Sequence, residues 1–500
     1  MSAAAREWDR DVLGLMMAPI DGTDLPGWAG DALDAGLASI ILFGHNTPDA
    51  QTARDLSRSI HARAPQALIA IDEEGGDVTR LQAATGSSLP TAWALGAIDD
   101  PALTLRAGEA LGLLIAACDI DLALAPVLDV STDPGNPVIG TRAFGDDPDL
   151  VARHGRAFAD GLRAAGVGVC GKHFPGHGAT SVDSHTALPL IDLDRAQLRE
   201  QHLAPWEIAP RLDAVMTAHI LVPALGEGPA SLAPWSRALL DEMVYGGYRG
   251  LVITDALDMA AVAEDPGYGE AAVRAVEAGA HLLCLGTSLR RDDEQMLREA
   301  HDAICAAIES GRLPRDLVAR RAADAARQIR ALRVRRGAAS TREREEGRRS
   351  LEQALEQIAQ LGAAAAERAI TLRQAALSGG PVCVVDARAR ADHASGTRPA
   401  LLVPALRERG IDAILADYPQ DMEGREVLVV TRLPKASPEE GERLAAVLAA
   451  RPDAIVVHVG VPGAAPESRR QVRTLGSGLA MMRAAVGRML AAGAGSGSRP

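Results

Sequence analysis

GVGVCGKHF (166–174), followed by PGHGATSVDSH (175–185), sets an apolar run directly before a segment that neither a helix nor a central strand absorbs. Three glycines, one proline and three histidines fall within Gly171–His185. The run therefore reads as a strand and its continuation as a long loop at the strand's C-terminal end, where function concentrates. Seven similar runs flank it. LGLMMAP (13–19), ASIILF (38–43), ALIAID (67–72) and DLALAPVLDV (121–130) precede it, and DAVMTAHIL (213–221), GLVITDALD (250–258) and HLLCLG (281–286) follow. Ala-, Leu-, Arg- and Glu-rich stretches of helical character separate most of them. Eight strands alternating with helices predict a (β/α)8 TIM-type barrel over residues 1–335, within the α/β class.

A barrel enzyme places its chemistry at the C-terminal ends of its strands. Asp72 ends the third run, Asp129 the fourth, Lys172 and His173 the fifth, His219 the sixth and Asp255 the seventh. Five distant segments thus aim polar side chains at one rim. Lys172 stands out further, because among 52 basic residues only Lys172 and Lys435 are lysine. A lysine in an arginine-rich chain marks a place where a compact ammonium is required rather than a planar guanidinium.

Beyond residue 330 the sequence becomes a charged, Ala-rich stretch, read as a helical linker over 336–375. The runs PVCVVDA (381–387), DAILADY (412–418), EVLVVTRL (426–433) and DAIVVHVGV (453–461) alternate with helical patterns. They predict a smaller α/β three-layer domain with a mostly parallel sheet over 376–490, then a disordered tail over 491–500. Neither G-x-G-x-x-G nor G-x-x-x-x-G-K-[ST] follows its first strand, so no nucleotide site is expected.

The composition, 47% hydrophobic and 24% charged, is that of a globular chain. A net charge of −14 without a basic stripe argues against nucleic acid as a partner. Cys118, Cys170, Cys284, Cys305 and Cys383 are scattered without C-x-x-C spacing and read as buried thiols. No uninterrupted apolar stretch is long enough to span a membrane. The start, MSAAAREWDRDVLG, lacks the basic and apolar regions of a signal peptide, so a cytoplasmic protein is expected. Nothing in the sequence sets the oligomeric state.

Asp183 and His185 lie two residues apart, a spacing that lets a carboxylate in a turn fix the tautomer of an imidazole and make a proton shuttle. A bare D-S-H more often marks a structural loop histidine; here the motif around it reverses that reading. Lys172-His173-Phe174-Pro175-Gly176-His177-Gly178, a four-residue spacer and Asp183-Ser184-His185 resemble, letter for letter, the hallmark of the bacterial β-N-acetylglucosaminidases of glycoside hydrolase family 3. Supporting segments follow in chain order: Asp72-Glu73-Glu74-Gly75-Gly76 with Arg80, APVLDV (125–130), NPVIGTRAF (136–144), VMTAH (215–219) and ITDALDM (253–259). The resemblance covers roughly residues 10–335 and is weak beyond.

The resemblance implies a retaining exo-β-N-acetylglucosaminidase without a cofactor, acting on cell-wall or chitin-derived oligosaccharides. It implies Asp255 as nucleophile, His185 as acid/base and Asp183 as its partner. Asp72, Arg142, Lys172 and His173 would bind the sugar, with Arg80 and His219 nearby. Glu73 and Asp77 depart from the family pattern, standing where glutamine and arginine are expected. Asp258 is the rival nucleophile, but it falls in a turn, where an acidic residue commonly stabilises a helix start, whereas Asp255 directly ends its strand. Asp121 and Asp129 read as structural. A phosphorylase using the same residues, a metal-dependent barrel hydrolase and a non-catalytic sugar-binding protein are the competing readings. His173 and His177 are four apart, yet Phe-Pro-Gly between them forbids the helix that would make them a metal pair.

Overall fold

The computed structural model describes residues 8–180, 188–345, 350–388, 401–416 and 419–496. Asp183 and His185 lie outside the described residues. The eight runs form eight parallel strands: β1 (Met16–Pro19), β2 (Ser39–Leu42), β3 (Leu68–Ile71), β4 (Leu122–Ala123), β5 (Gly168–Phe174), β6 (Ala214–Thr217), β7 (Leu251–Thr254) and β8 (Leu283–Cys284). Successive strands pair in order, β1 pairs with β8, and the bridge Ile253↔Leu282 joins the β7 edge to β8, so the sheet closes into a barrel. All eight strands are buried along their whole length, which is why their sequences read as continuous apolar runs rather than alternating ones.

Met17, Ile41, Ala70, Leu122, Cys170, Met216 and Ile253 fill the barrel interior, and the same cluster takes in Ile329 and Leu332 of the helix Arg315–Glu345. That helix covers the N-terminal end of the barrel. Its arginines meet carboxylates that precede the strands: Arg333 Nη1 lies 3.0 Å from Asp121 Oδ2, and Arg335 Nη2 lies 2.7 Å from Asp213 Oδ2. Arg336 joins Asp121 and Asp119. Asp121 therefore has the structural place its sequence position suggested, far from the rim.

The second domain holds six strands: β9 (Thr371–Arg373), β10 (Val382–Asp386), β11 (Ala413–Leu415), β12 (Glu426–Thr431), β13 (Ile455–His458) and β14 (Gln471–Arg473). Their order is β11-β10-β12-β13-β14-β9, parallel except for the β14/β9 pair. Val382, Val384, Leu428 and Val457 pack on one face with Leu406, Met481 and Met489, while Cys383, Val427, Val429 and Val456 face Leu444 and Val447 on the other. Alternate residues of each strand thus serve opposite helical layers.

The expected connector contains the helix Leu351–Ala369, whose Ala366 and Ala369 belong to the second domain's core while Ile358 and Ala365 belong to the barrel's. The expected tail is corrected: the helix Leu479–Ser496 runs six residues into it. Small residues there permit close packing, since a Cβ on Gly493 would stand 2.0 Å from the Leu377 carbonyl. A Gly- and Ala-rich end read as flexible is instead a helix that approaches backbone. All five cysteines are free and buried. Among the described residues, no helix is long and apolar enough to cross a membrane.

Candidate active site

β3 runs into Asp72-Glu73-Glu74-Gly75-Gly76, a turn that needs its glycines. Gly76 has φ +61°, and a Cβ there would stand 2.5 Å from Thr91 Cα. The turn delivers Glu74 to a buried group of charges. Arg142 donates to it twice, from Nε at 2.9 Å and from Nη2 at 2.7 Å, and spends Nη1 on the Val138 carbonyl at 3.2 Å. Lys172, its side chain 1% exposed, lies 2.6 Å from the same carboxylate and donates to Asp72. Arg80 stands 3.7 Å from the other Asp72 oxygen.

Burial works to lower the pKa of Lys172, but Asp72 and Glu74 outweigh it and hold the ammonium above its ordinary value. Burial likewise works to raise Glu74, and Arg142 and Lys172 outweigh it, keeping the carboxylate ionised. Each charge is retained because its neighbours are charged. Of the residues expected to bind sugar, Asp72, Arg80, Arg142 and Lys172 are thus brought together. Glu74, at their centre, was missing from the expected set. A solitary buried-strand lysine was its signal, since such a charge requires a carboxylate partner.

β5 continues through Lys172-His173-Phe174, so the loop starts at Pro175, not Gly171. Phe174 holds this extension, packing edge-on to Trp206 with ring centroids 4.9 Å apart and pairing with Thr217 of β6 across a register shift after Gly171. Asp129, fully buried, accepts from the His177 amide at 2.7 Å and lies 2.7 Å from His173 Nδ1. Burial would raise its pKa, but the His173 imidazole and the His177 amide bring it below the usual value. Asp129 therefore organises the start of the motif loop. His177 is buried against Thr180 Oγ1 at 2.8 Å, and burial pushes its pKa down to about 4, so it stands neutral at pH 7.

His219, at the end of β6, is fully buried; its Nε2 lies 3.0 Å from the Ala256 carbonyl and its Nδ1 2.5 Å from Ser231 Oγ. It braces the segment that follows Asp255. The Asp255 amide donates to the Thr217 carbonyl at 2.9 Å, tying the end of β7 to β6, and its Oδ1 accepts from the Ala256 amide at 2.8 Å. Asp255 is partly exposed at the rim. Asp258 is not: its side chain is 0% exposed, accepts from the Thr287 amide at 3.2 Å and lies under Gly286, where a Cβ would stand 2.2 Å from its carboxyl carbon. Only one of the two rival aspartates can meet a substrate without rearrangement.

The two departures from the family pattern have separate structural places. Asp77 ties the domains together: its Oδ1 accepts from the Ser477 amide at 2.8 Å and from the Ser477 hydroxyl at 2.7 Å, and its Oδ2 accepts from Thr141 at 2.9 Å. Glu73 is wholly buried. Its Oε2 accepts from the Arg80 amide at 2.6 Å, the Leu81 amide at 2.8 Å and Thr79 Oγ1 at 3.1 Å, while Oε1 meets no donor among the described residues. Burial raises its pKa to about 7 despite those hydrogen bonds.

A carboxyl whose folded pKa exceeds its unfolded value contributes stability that is complete below pH 4.5 and is lost as pH rises through about 7. The gap corresponds to about 3 kcal/mol. Glu73→Gln, which cannot ionise, is expected to gain little over the parent below pH 4.5 and to exceed it by about 3 kcal/mol at pH 8. Urea midpoints at the two pH values check this; an advantage independent of pH would contradict it.

Three comparisons place this geometry among known proteins. The family described as "Glycosyl hydrolase family 3 N terminal domain" matches residues 29–328. A β-hexosaminidase of Alkalilimnicola ehrlichii is 36% identical over 286 residues, covering 55% of this chain and 81% of that one. Among solved structures, a glycoside hydrolase family 3 β-N-acetylglucosaminidase from Paenibacillus sp. str. FPU-7 superposes with a TM-score of 0.83 at 31% identity, over 97% of both chains. NagZ from Neisseria gonorrhoeae, solved with N-trifluoroacetyl-D-glucosamine, is 30% identical with a TM-score of 0.50, over 63% of this chain and 98% of that one. The barrel, its charged rim and these likenesses agree: the chain belongs to glycoside hydrolase family 3 and is a glycoside hydrolase of the β-N-acetylhexosaminidase type.

Proposed function

We propose that the chain is a retaining exo-β-N-acetylglucosaminidase that removes terminal β-linked N-acetylglucosamine by way of a covalent intermediate on Asp255. The observation that carries this reading is the contrast between the two aspartates after β7, Asp255 partly exposed on the rim and Asp258 buried beneath Gly286. In the first step the Asp255 carboxylate attacks the anomeric carbon, and the glycosidic oxygen leaves with a proton from His185. In the second, His185 takes a proton from water, whose oxygen displaces Asp255 from that carbon. The roles of His185 and its partner Asp183 rest on the motif that carries them. An imidazole suits both steps, because it exchanges protons near pH 7 and brings no negative charge to the second.

The Lys172, Asp72 and Arg80 group supplies donors and acceptors for sugar hydroxyls. Arg142, three of whose five N–H donors go to Glu74 and Val138, holds that group in place, and His219 does the same for Asp255. The likeness to the Paenibacillus enzyme along both domains supports the preference for N-acetylglucosamine. Cell-wall fragments reaching a cytoplasmic enzyme are the substrates that fit the sequence reading best.

The test is release of nitrophenol from the β-N-acetylglucosaminide and from the β-glucoside, in phosphate and in a phosphate-free buffer. Faster turnover of the first with free sugar as product in both buffers is expected. Sugar 1-phosphate in phosphate buffer would make the enzyme a phosphorylase, and turnover of neither glycoside would return the chain to the sugar-binding reading.

A further inference from the structure

At the barrel face opposite the catalytic rim, the helix Asp9–Leu13 leads into β1 and the helix Asp293–Glu309 ends its descent from the rim, where Asp293 accepts from the Asp21 amide. Where they meet, Asp9, His301 and Cys305 converge. They are the one group of three His, Cys, Asp or Glu donors within 4.8 Å of one another among the described residues. His301 and Cys305 are four apart on one helix face, the spacing that lets two side chains share a ligand, and Asp9 reaches them from 296 residues away. We infer that these three side chains form a divalent-metal site of the zinc type that fastens the first helix to the last barrel helix.

The spacing of the donor atoms carries the inference. His301 Nε2 is 3.4 Å from Asp9 Oδ1, Cys305 Sγ is 3.8 Å from the same oxygen, and the sulfur flanks the ring at 3.7 Å from Nε2 and 3.8 Å from Nδ1. Oxygen, nitrogen and sulfur ligands at tetrahedral angles around zinc, with their usual bond lengths, are separated by about 3.3–3.6 Å. The triangle is near that size, and its N–O edge is wider than the about 2.9 Å that a hydrogen bond between those two groups favours. One oxygen, one nitrogen and one sulfur make a borderline donor set that suits zinc over magnesium or calcium. Behind the ring, Asp302 Oδ1 stands 3.3 Å from His301 Nδ1, the carboxylate support that turns the other nitrogen to a metal. Cys305 is buried and the His301 side chain is 13% exposed, so the site is sheltered on the helix side and open toward Asp9.

Binding forms three metal–ligand bonds, releases the thiol proton of Cys305 and leaves the fourth tetrahedral position to water. No catalytic step passes through it. A five-residue helix has little stability of its own, and the metal would hold it against the barrel wall.

The experiment strips the full-length protein with a chelator and titrates it with Zn2+, then with Co2+ as a spectroscopic probe. One equivalent of either ion is expected, with a sulfur-to-cobalt charge-transfer band in the near ultraviolet and a thermal midpoint that rises with Zn2+. Cys305→Ser is expected to abolish the band, and Asp9→Asn to weaken binding roughly 10-fold or more. His301→Gln, which keeps the sulfur, is expected to weaken binding roughly 10-fold or more and is the readout if Cys305→Ser does not fold. Glycosidase turnover is expected to survive the chelator. Absence of one-equivalent binding, a band that persists in Cys305→Ser, undiminished affinity in His301→Gln, or turnover lost with the metal would overturn the inference.

Discussion

Asp255→Ala is expected to fold and to lose turnover of the β-N-acetylglucosaminide by about 10⁴-fold, the order seen when one member of a catalytic set is removed. The fold survives because Asp255 is partly exposed and its structural bond to β6 is made by its backbone amide. Asp258→Asn is the control with the opposite profile. Its side chain is buried against the Thr287 amide and lies 3.8 Å from Arg290. Removing that charge is expected to cost about 1–3 kcal/mol of stability while leaving turnover within about tenfold of the parent. Steady-state kinetics beside a urea melt of both variants separate the two roles. Loss of turnover in Asp258→Asn with retention in Asp255→Ala would exchange them.

The second large effect belongs to Lys172. Lys172→Met removes the only ammonium from a buried group in which Asp72 and Glu74 both depend on it, leaving carboxylates that Arg142 and Arg80 offset in part. Breaking such a group from one side costs about 3–5 kcal/mol, because the abandoned charge stays buried. Binding of the sugar is expected to weaken with it. Lys172→Arg is not expected to restore either property, since a planar, bulkier guanidinium does not fit a side chain 1% exposed between two carboxylates. Urea unfolding measures the first effect and KM the second. A loss below about 1 kcal/mol in Lys172→Met would show that the group relaxes and that its charges are not interdependent.

All eight barrel strands were legible because parallel strands buried on both faces leave continuous apolar runs, and their polar C-terminal residues marked one rim. β10, β12 and β13 of the second domain were legible for the same reason, and β11, itself three residues long, within the run DAILADY. β9 and β14 were not, because neither lies in an apolar run; they exist because neighbouring strands offer an edge. The helix at 491–496 was hidden by composition, since glycine and alanine signal a loose end in sequence but close approach in a packed fold. At the site, Asp72, Lys172, Arg80, Arg142 and Asp255 were named from motif and strand end. Glu74 was overlooked because its function is to balance Lys172 and Arg142, a relation between segments that no single segment displays. Asp77 shows the same limit. Its partner Ser477 lies in the other domain, 400 residues along the chain.

As nucleophile, Asp255 is expected to bond covalently to the anomeric carbon. Incubation with a fluorinated N-acetylglucosaminide that forms the intermediate quickly and releases it slowly, followed by proteolysis and fragment-ion mass spectrometry, locates that bond. One sugar per chain, attached to Asp255, is the expected result; a sugar on Asp258, or none during a demonstrated slow turnover, would contradict that role.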